Sequence, residues 1–311
     1  MKLVHDPAHD RAMTEACADG LAAMARDASI ELTPRQIAAV DELRQWLAEG
    51  TRVYVPYLPN ADYQDVILAC QRLLDAGLVA VPHFPARAMT SQQQARDHLD
   101  ALAAHGVREL MLIAGDTPRP AGPYTDSLAL LESGLLQRHR FGLGIAGHPE
   151  GHPAADGSAL TAALSTKREY ALATDTPMWV VTQFAFEAGS FLDWLHDHGD
   201  VIAPLPVHFG IAGPTRLRTL MAYAAQCGVG ASARALMRHP ETTRLLRSWT
   251  PDGLVQALAC YRLEHPLSLF HGLHIFPFGG LKRSAKWLED LVAAGQPERA
   301  PHLSGGLQPC P

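Results

Sequence analysis

Several polar residues interrupt apolar runs of this chain at places where their side chains could do acid–base or ring-binding chemistry. Glu31 sits inside Ser29-Ile30-Glu31-Leu32. A carboxylate in an apolar strand is costly to bury, and burial raises its pKa toward the range of a general acid. An ion pair with an arginine is the competing use. Asp116 follows Ala114-Gly115, a turn that lets backbone approach a ligand and offers a carboxylate to a ring N–H or a ribose hydroxyl. Capping a helix is its alternative. Gln183 carries an amide donor and an acceptor, suited to the edge of a heterocycle, or else it is a satisfied core amide. His83 and the run His148-Pro149-Glu150-Gly151-His152 add imidazoles and a further carboxylate.

Each of these residues stands at or just after a short apolar, β-branched run, and those runs alternate with longer segments of helical period. That alternation predicts parallel βαβ units. Eight strands are expected: Ser29–Leu32, Arg52–Tyr57, Val79–His83, Glu109–Ile113, Gly142–Ala146, Met178–Thr182, Leu205–Gly210 and Gly272–Phe276. Helices are expected at Pro34–Glu49, Asp62–Ala76, Ser91–His105, Asp126–Arg138, Ser158–Thr174, Glu187–His196, Thr215–Cys227, Pro251–Glu264 and Leu281–Ala294. Thr33-Pro34, Thr90 and Thr215 read as helix starts, and Gly50, Gly77, Gly106 and Gly228 as helix ends. Eight units favour closure into a (β/α)8 TIM barrel of the α/β class, whose catalytic face is the C-terminal ends of the strands. All the polar residues above then project toward one mouth.

The organisation expected is one domain: a helical extension at 1–27, the barrel at 28–295 and an irregular tail at 296–311. Met13, Cys17, Leu21 and Met24 repeat on one helical face of the extension, which would plug the bottom of the barrel or join the interface of a homo-oligomer. A length of 311 residues suits a barrel with insertions, and 47% hydrophobic with 19% charged residues is globular. With a net charge of −6 and no basic cluster among aromatics, no footprint for nucleic acid or an anionic membrane surface appears. No apolar leader or membrane-length run is present, and the five cysteines show no CxxC spacing, so a cytoplasmic, reducing compartment without disulfides is expected.

Zinc is a second reading of His148, Glu150 and His152, but barrel hydrolases usually present an HxH pair after the first strand, where only Glu31 stands. The one HxH, His196-Asp197-His198, falls at a helix end. No metal site is assigned, and a proline-bounded loop that positions His152 is preferred. Lys167 and Arg168 follow Leu160 and Leu164 at helical spacing, either as the solvated flank of that helix or as functional cations. Neither GxGxxG nor GxxxxGK[ST] occurs.

In order and spacing, this set resembles the methylenetetrahydrofolate reductase family, flavin-binding TIM barrels that reduce methylene- to methyl-tetrahydrofolate. The likeness runs from about Ser29 to Ala294. Ser29-Ile30-Glu31-Leu32-Thr33-Pro34 resembles the family's FEFxPP strand, Val81-Pro82-His83 its PHL segment, and Leu112-Ile113-Ala114-Gly115-Asp116 its LRGD. Ala146-Gly147-His148-Pro149-Glu150-Gly151-His152-Pro153 resembles AxYPExHP, Leu164-Ser165-Thr166-Lys167-Arg168 resembles LxxKxxAGA, Val181-Thr182-Gln183-Phe184-Ala185-Phe186 resembles ITQxFF, and Leu273-His274-Ile275-Phe276 the closing HFYT strand.

The resemblance implies Glu31 as the acid that opens the imidazolidine ring, and Asp116 and Gln183 as pterin contacts. It places His83, Gly115, Tyr124, Ala146, His148, His152 and Arg168 at or near positions that contact FAD. Tetrahydrofolate is the implied substrate and NAD(P)H the implied source of hydride, through FAD or directly. The chain also departs from the family. Ala114 stands for an Arg, Pro56 for a Thr, Ala162 for an Asp, His148 for a Tyr and Glu169 for a Lys, and Phe276-Pro277-Phe278-Gly279-Gly280 replaces YTLNR. The replacements at Ala114 and Glu169 remove cations that would hold the flavin's phosphates and the changed closing strand removes an Arg that would face the folate, while Glu31, Asp116 and Gln183 remain. The competing classes are a metal-dependent barrel hydrolase and a folate-binding or methyl-transfer protein without redox activity.

Overall fold

The computed structural model describes residues 7–58, 61–153, 155–226, 229 and 248–295, with side chains of the first helix from residue 15 onward. Gly228, the tail 296–311, Cys227 and Cys310 lie outside the described residues, as does the side chain of Met13.

Eight parallel strands close into the barrel that the alternation predicts: β1 (Ser29–Glu31), β2 (Arg52–Val55), β3 (Val79–Pro85), β4 (Glu109–Ile113), β5 (Gly142–Gly147), β6 (Met178–Phe184), β7 (Val207–Ala212) and β8 (Phe270–Phe276). Each pairs with its neighbours in sequence, and β1 closes on β8 with Ser29 opposite His274 and Ile30 opposite Ile275. The fold follows from the pattern. Runs such as Val53-Tyr54-Val55 and Leu110-Met111-Leu112 are apolar on both faces, because one face fills the barrel and the other meets the helices.

The helices are α1 (Pro7–Arg26), α2 (Pro34–Ala38), α3 (Tyr63–Asp75), α4 (Gln92–Ala104), α5 (Ser127–Glu132), α6 (Gly157–Thr174), α7 (Ala188–Ile202), α8 (Leu217–Gln226), α9 (Asp252–Glu264) and α10 (Leu281–Ala294). Local chemistry starts α2 at Thr33-Pro34 as expected, whereas Ser91 and not Thr90 caps α4. Thr33 and Gln36 form a reciprocal capping box with Pro34 in the first turn, and Asp62, Ser91, Asp126 and Asp156 each accept a backbone N–H of the following turn.

Four expectations are corrected. The helix expected over Pro34–Glu49 stops at Ala38 and resumes as one 3₁₀ turn at Leu43–Gln45, where the Arg72 guanidinium takes the Val40 carbonyl that a continuing helix would need. The helix expected over Asp126–Arg138 ends at Glu132, followed by a 3₁₀ turn after the left-handed Gly134. Thr215 starts no helix; with Arg216 it forms a two-residue ladder against Ser248–Trp249. Cys17 of α1 and Cys260 of α9 are paired as a disulfide, with Cα atoms 5.1 Å apart. Helix α1 packs on α9 and α10 within the chain and buries Cys17, Ala22, Met24 and Ala25. Among the described residues no helix is long and apolar enough to cross a membrane.

Candidate active site at the barrel mouth

Alternation along β1 turns Ser29 and Glu31 to the inside of the barrel, one layer apart. The lower layer is dry and fully packed. His274 is 1% exposed, its Nδ1 lies 2.9 Å from Ser29 Oγ, and its ring meets Tyr54 edge-on at 4.5 Å. Burial, with His83 adding to it, lowers the His274 pKa to about 3, so this imidazole stays neutral. The buried Tyr54 hydroxyl accepts a hydrogen bond from Trp179 Nε1 at 2.7 Å, and its phenol is held protonated because burial raises its pKa. Val81, Met111 and Val181 fill the rest of the layer. Reactants can therefore approach only from the C-terminal face.

The upper layer carries the polar residues. Glu31 Oε2 lies 3.2 Å from His83 Nε2, and the two side chains are 21% and 15% exposed. The competing use of this carboxylate, an ion pair with an arginine, is not what the structure shows; its neighbour is a histidine. Strand β3 delivers His83, and the Tyr63 hydroxyl fixes that end of the strand by donating to the His83 carbonyl at 3.0 Å. Gln183, one residue before the end of β6, lies on the same inner face, half-buried, with its Oε1 accepting the Phe184 N–H at 3.0 Å.

Asp116 sits to one side, over the ends of β2 to β4. Gly115 before it has φ 91°, and a Cβ there would stand 3.2 Å from Pro85 Cβ, so the turn needs glycine. The cavity at Asp116, lined with Tyr57, Pro85, Ile113 and Thr117, has a volume of about 10 Å³. The loop that follows is strapped to the end of β3: the Arg87 N–H donates to the Ala114 carbonyl, Arg87 Nε to the Thr125 carbonyl at 2.6 Å, and the Ala121 N–H to the Arg87 carbonyl. Under the strap, Tyr124 is 5% exposed and its hydroxyl, like that of Thr117, has no hydrogen-bond partner among the described residues.

A larger cavity, about 260 Å³, opens between α6 and α7 beside the end of β5. Ala146, His148, Lys167, Asp193, Asp197 and His198 are among its lining residues. His148 meets His152 edge-on, ring centroids 4.9 Å apart, and burial, with the charges of His152 and Lys167, lowers the His148 pKa to about 4. Lys167 is only 7% exposed, and burial, partly offset by Asp126, lowers its ammonium to about 8. Sequence reasoning left Lys167 as one of two alternatives. The spacing Leu160, Leu164, Lys167, Ala171 already placed it on the inward face of α6. Arg168, the residue singled out, instead donates from Nε to the Ala203 carbonyl at 2.6 Å.

The structure thus brings Glu31 and His83 into contact and places Gln183 on the same inner wall. Asp116 and Gly115 line the small cavity, Ala146 and His148 the larger one with His152 packed on His148, and Arg168 serves the loop before β7. Among the described residues no three His, Cys, Asp or Glu side chains are grouped so as to hold a metal ion. The sequence assigns His274 no role beyond its place in the closing-strand motif, although a polar residue inside an apolar strand is a signal of one.

A family model for methylenetetrahydrofolate reductase matches residues 37–234, more than half of the chain. Among solved structures, the chain is similar to an uncharacterized protein from Clostridium thermocellum that binds two copies of 5-methyl-5,6,7,8-tetrahydrofolic acid. The identity is 12% over 86% of this chain and 96% of that one, with a TM-score of 0.57. A dihydropteroate synthase from Thermus thermophilus, in complex with 6HMPPP, aligns at 14% identity over 86% of this chain and 92% of that one, with a TM-score of 0.44. At 12% identity the first likeness is one of fold.

Proposed function

The chain belongs to the methylenetetrahydrofolate reductase family, and from that premise we propose that it moves a hydride between NAD(P)H and the one-carbon bridge of 5,10-methylenetetrahydrofolate. The observation that carries this reading is the Glu31–His83 pair at the mouth, a partly desolvated carboxylate with a histidine 3.2 Å away. In the reductive direction Glu31 gives a proton to N10 of the bridged folate, the N10–CH2 bond breaks, and an N5 iminium forms. The hydride and its electron pair go to the methylene carbon, which leaves 5-methyl-tetrahydrofolate and NAD(P)⁺. Gln183 and Asp116 hold the pterin edge, so that the accepting carbon faces the donor. His83 keeps the carboxylate oriented and supplies the next proton from solvent. The C. thermocellum protein, which binds a methylated tetrahydrofolate, supports the same ligand class on this fold.

The family implies FAD, and two positions where the resemblance expects partners for its phosphates are changed, although Ala146, His148 and Lys167 line a cavity of about 260 Å³. Ala114 and Glu169 put no cation where the resemblance expects phosphate partners, and Arg168 is engaged with the Ala203 carbonyl. Direct transfer from the nicotinamide is therefore the form of the reaction we favour. The test is turnover of NADH or NADPH with methylenetetrahydrofolate by the purified protein, with its visible spectrum recorded. Turnover by a colourless preparation is expected. Stoichiometric absorbance near ~450 nm, the flavin's own band, would overturn direct transfer. Folate binding without nicotinamide turnover would replace the redox reading with a binding one.

A further inference from the structure

The barrel closes where its ladders are shortest. Strand β1 pairs with β8 through Ser29–His274 and Ile30–Ile275, and with β2 through Ile30–Val53 and Glu31–Tyr54. The elements that lead into this seam are tied together on its outside. Helix α1 runs into β1 after Asp27 and Ala28, and α9 runs into β8 after the short link 265–269. Cys17 of α1 and Cys260 of α9 join them, with Cα atoms 5.1 Å apart, inside the ordinary range for a disulfide. The rest of the α1 contact is made largely by small side chains. Ala22 and Ala25 are buried with Met24, and α1 lies so close to Gly295, at the end of α10, that a Cβ there would overlap the Ala22 Cβ. Methyl groups bury little apolar area, so the covalent bond carries a large share of the hold on α1.

We propose that this disulfide is a redox staple on the closing seam: reduced by a dithiol, it lets α1 slip and slackens β1, and re-oxidised it sets both back. The strand it steadies is three residues long and ends on Glu31, so play in its pairing moves the carboxylate away from His83. Cys17 is 6% exposed and Cys260 is half-buried, so the thiolate of the reductant attacks Cys260 Sγ. The Cys17 sulfur leaves as a thiolate and takes a proton, and the second thiol of the reductant then displaces Cys260. Two electrons and two protons pass to the protein, and the dithiol departs as its own disulfide. A disulfide of the same class reverses the exchange. Cys70 of α3 is closed to solvent and takes no part. The consequence for turnover, though not that for α1 and β1 themselves, rests on the role proposed above for Glu31.

The experiment compares the full chain treated with an oxidised dithiol, the same protein reduced with dithiothreitol, and Cys17→Ser. Alkylation followed by mass measurement should find Cys17 and Cys260 blocked in the first state and open in the second. Reduction should speed hydrogen exchange at the amides of α1 by about tenfold or more, as local opening becomes easier, and at Ile30 and Leu32 several-fold. It should lower kcat several-fold with folate affinity kept, since Glu31 gives the proton while Asp116 and Gln183 hold the ring. Cys17→Ser should behave as the reduced protein with or without dithiothreitol, which separates this pair from the other cysteines. Free thiols at both positions after oxidation, exchange that ignores reduction, or a measurable kcat that ignores it would each overturn the staple and leave the proposed function standing. If exchange responds and neither state turns over nicotinamide, the staple stands and the proposed function fails.

Discussion

Glu31 and His83 face each other at 3.2 Å in the upper layer, above a floor in which His274 and Tyr54 are shut away from water. The floor cannot carry protons: burial lowers His274 to about 3 and raises the Tyr54 phenol, so neither changes charge near neutrality. Proton traffic at the mouth is left to the upper pair. Glu31→Gln keeps the shape and a hydrogen bond to His83 but has no proton to give. It should lower turnover by about 10²- to 10⁴-fold with folate affinity kept within a few-fold, measured as kcat against Kd. Wild-type turnover by this variant would remove Glu31 from the chemistry.

Gly210 makes the mouth possible by having no side chain. A Cβ there would overlap the Thr182 carbonyl oxygen and stand 2.7 Å from Phe276 Cε2 and 3.1 Å from the Gln183 carbonyl carbon, so two strands and a ring would have to move together. Backbone cannot swing aside as a side-chain tip can. Gly210→Ala should therefore cost at least ~2 kcal/mol in urea unfolding and weaken folate binding as well. A variant as stable as wild type would show that β7 has slack here.

The Trp179–Tyr54 hydrogen bond tests the floor in isolation. Tyr54→Phe retains the ring and its edge contact with His274 but leaves the Trp179 N–H without an acceptor in a packed layer. The expected cost is about 1–3 kcal/mol, with kcat unchanged, because no reacting atom is touched. A fall in kcat at unchanged stability would mean that the layer does more than support.

Much of this was legible in the chain. Eight apolar runs gave eight strands because a parallel barrel buries both faces of every strand, a pattern that needs no distant information. Glu31, His83 and Gln183 could be placed on one face since strand parity and a common direction follow from the alternation. What escaped depends on contacts remote in sequence. Nothing near Val40 says that Arg72 will take its carbonyl and stop a helix, and 243 residues separate Cys17 from Cys260. Lys167 stays between two uses in the sequence because lysine on an apolar stripe is commonly the solvated flank of that stripe; the cavity shows what its inward face meets.

Three histidines should make the fold acid-labile. Burial lowers His274 and His208 to about 3 and His148 to about 4, all from an ordinary 6.5. Below pH 6.5 the unfolded chain takes up protons that the folded chain refuses, so stability is complete above that pH and is lost as pH falls toward 3–4. Each group adds up to about 1.4 kcal/mol per pH unit within its window. Urea midpoints recorded from pH 7 to pH 4 should fall steeply, and His208→Gln should flatten the fall. An unchanged slope in that variant would mean that His208 protonates in the folded chain.

Lys167 should act in the alkaline range. The residue is 7% exposed, its ammonium makes no hydrogen bond or ion pair with a described residue, and its pKa is lowered to about 8 from an ordinary 10.5, chiefly by burial. Between pH 8 and 10.5 the unfolded chain holds a proton that the folded chain has released, so stability rises with pH through that window. Below pH 8 both states are charged and the cost of the buried charge is present in full, on the order of 2–3 kcal/mol. Lys167→Met fills the same space without the charge. It should be more stable than wild type by about that amount at pH 7 and should lose the alkaline rise, with the two stability curves meeting near pH 10.5. If the variant is no more stable at pH 7, or if wild type shows no rise above pH 8, the ammonium reaches water in the folded protein and the cavity between α6 and α7 is wetter than its walls suggest.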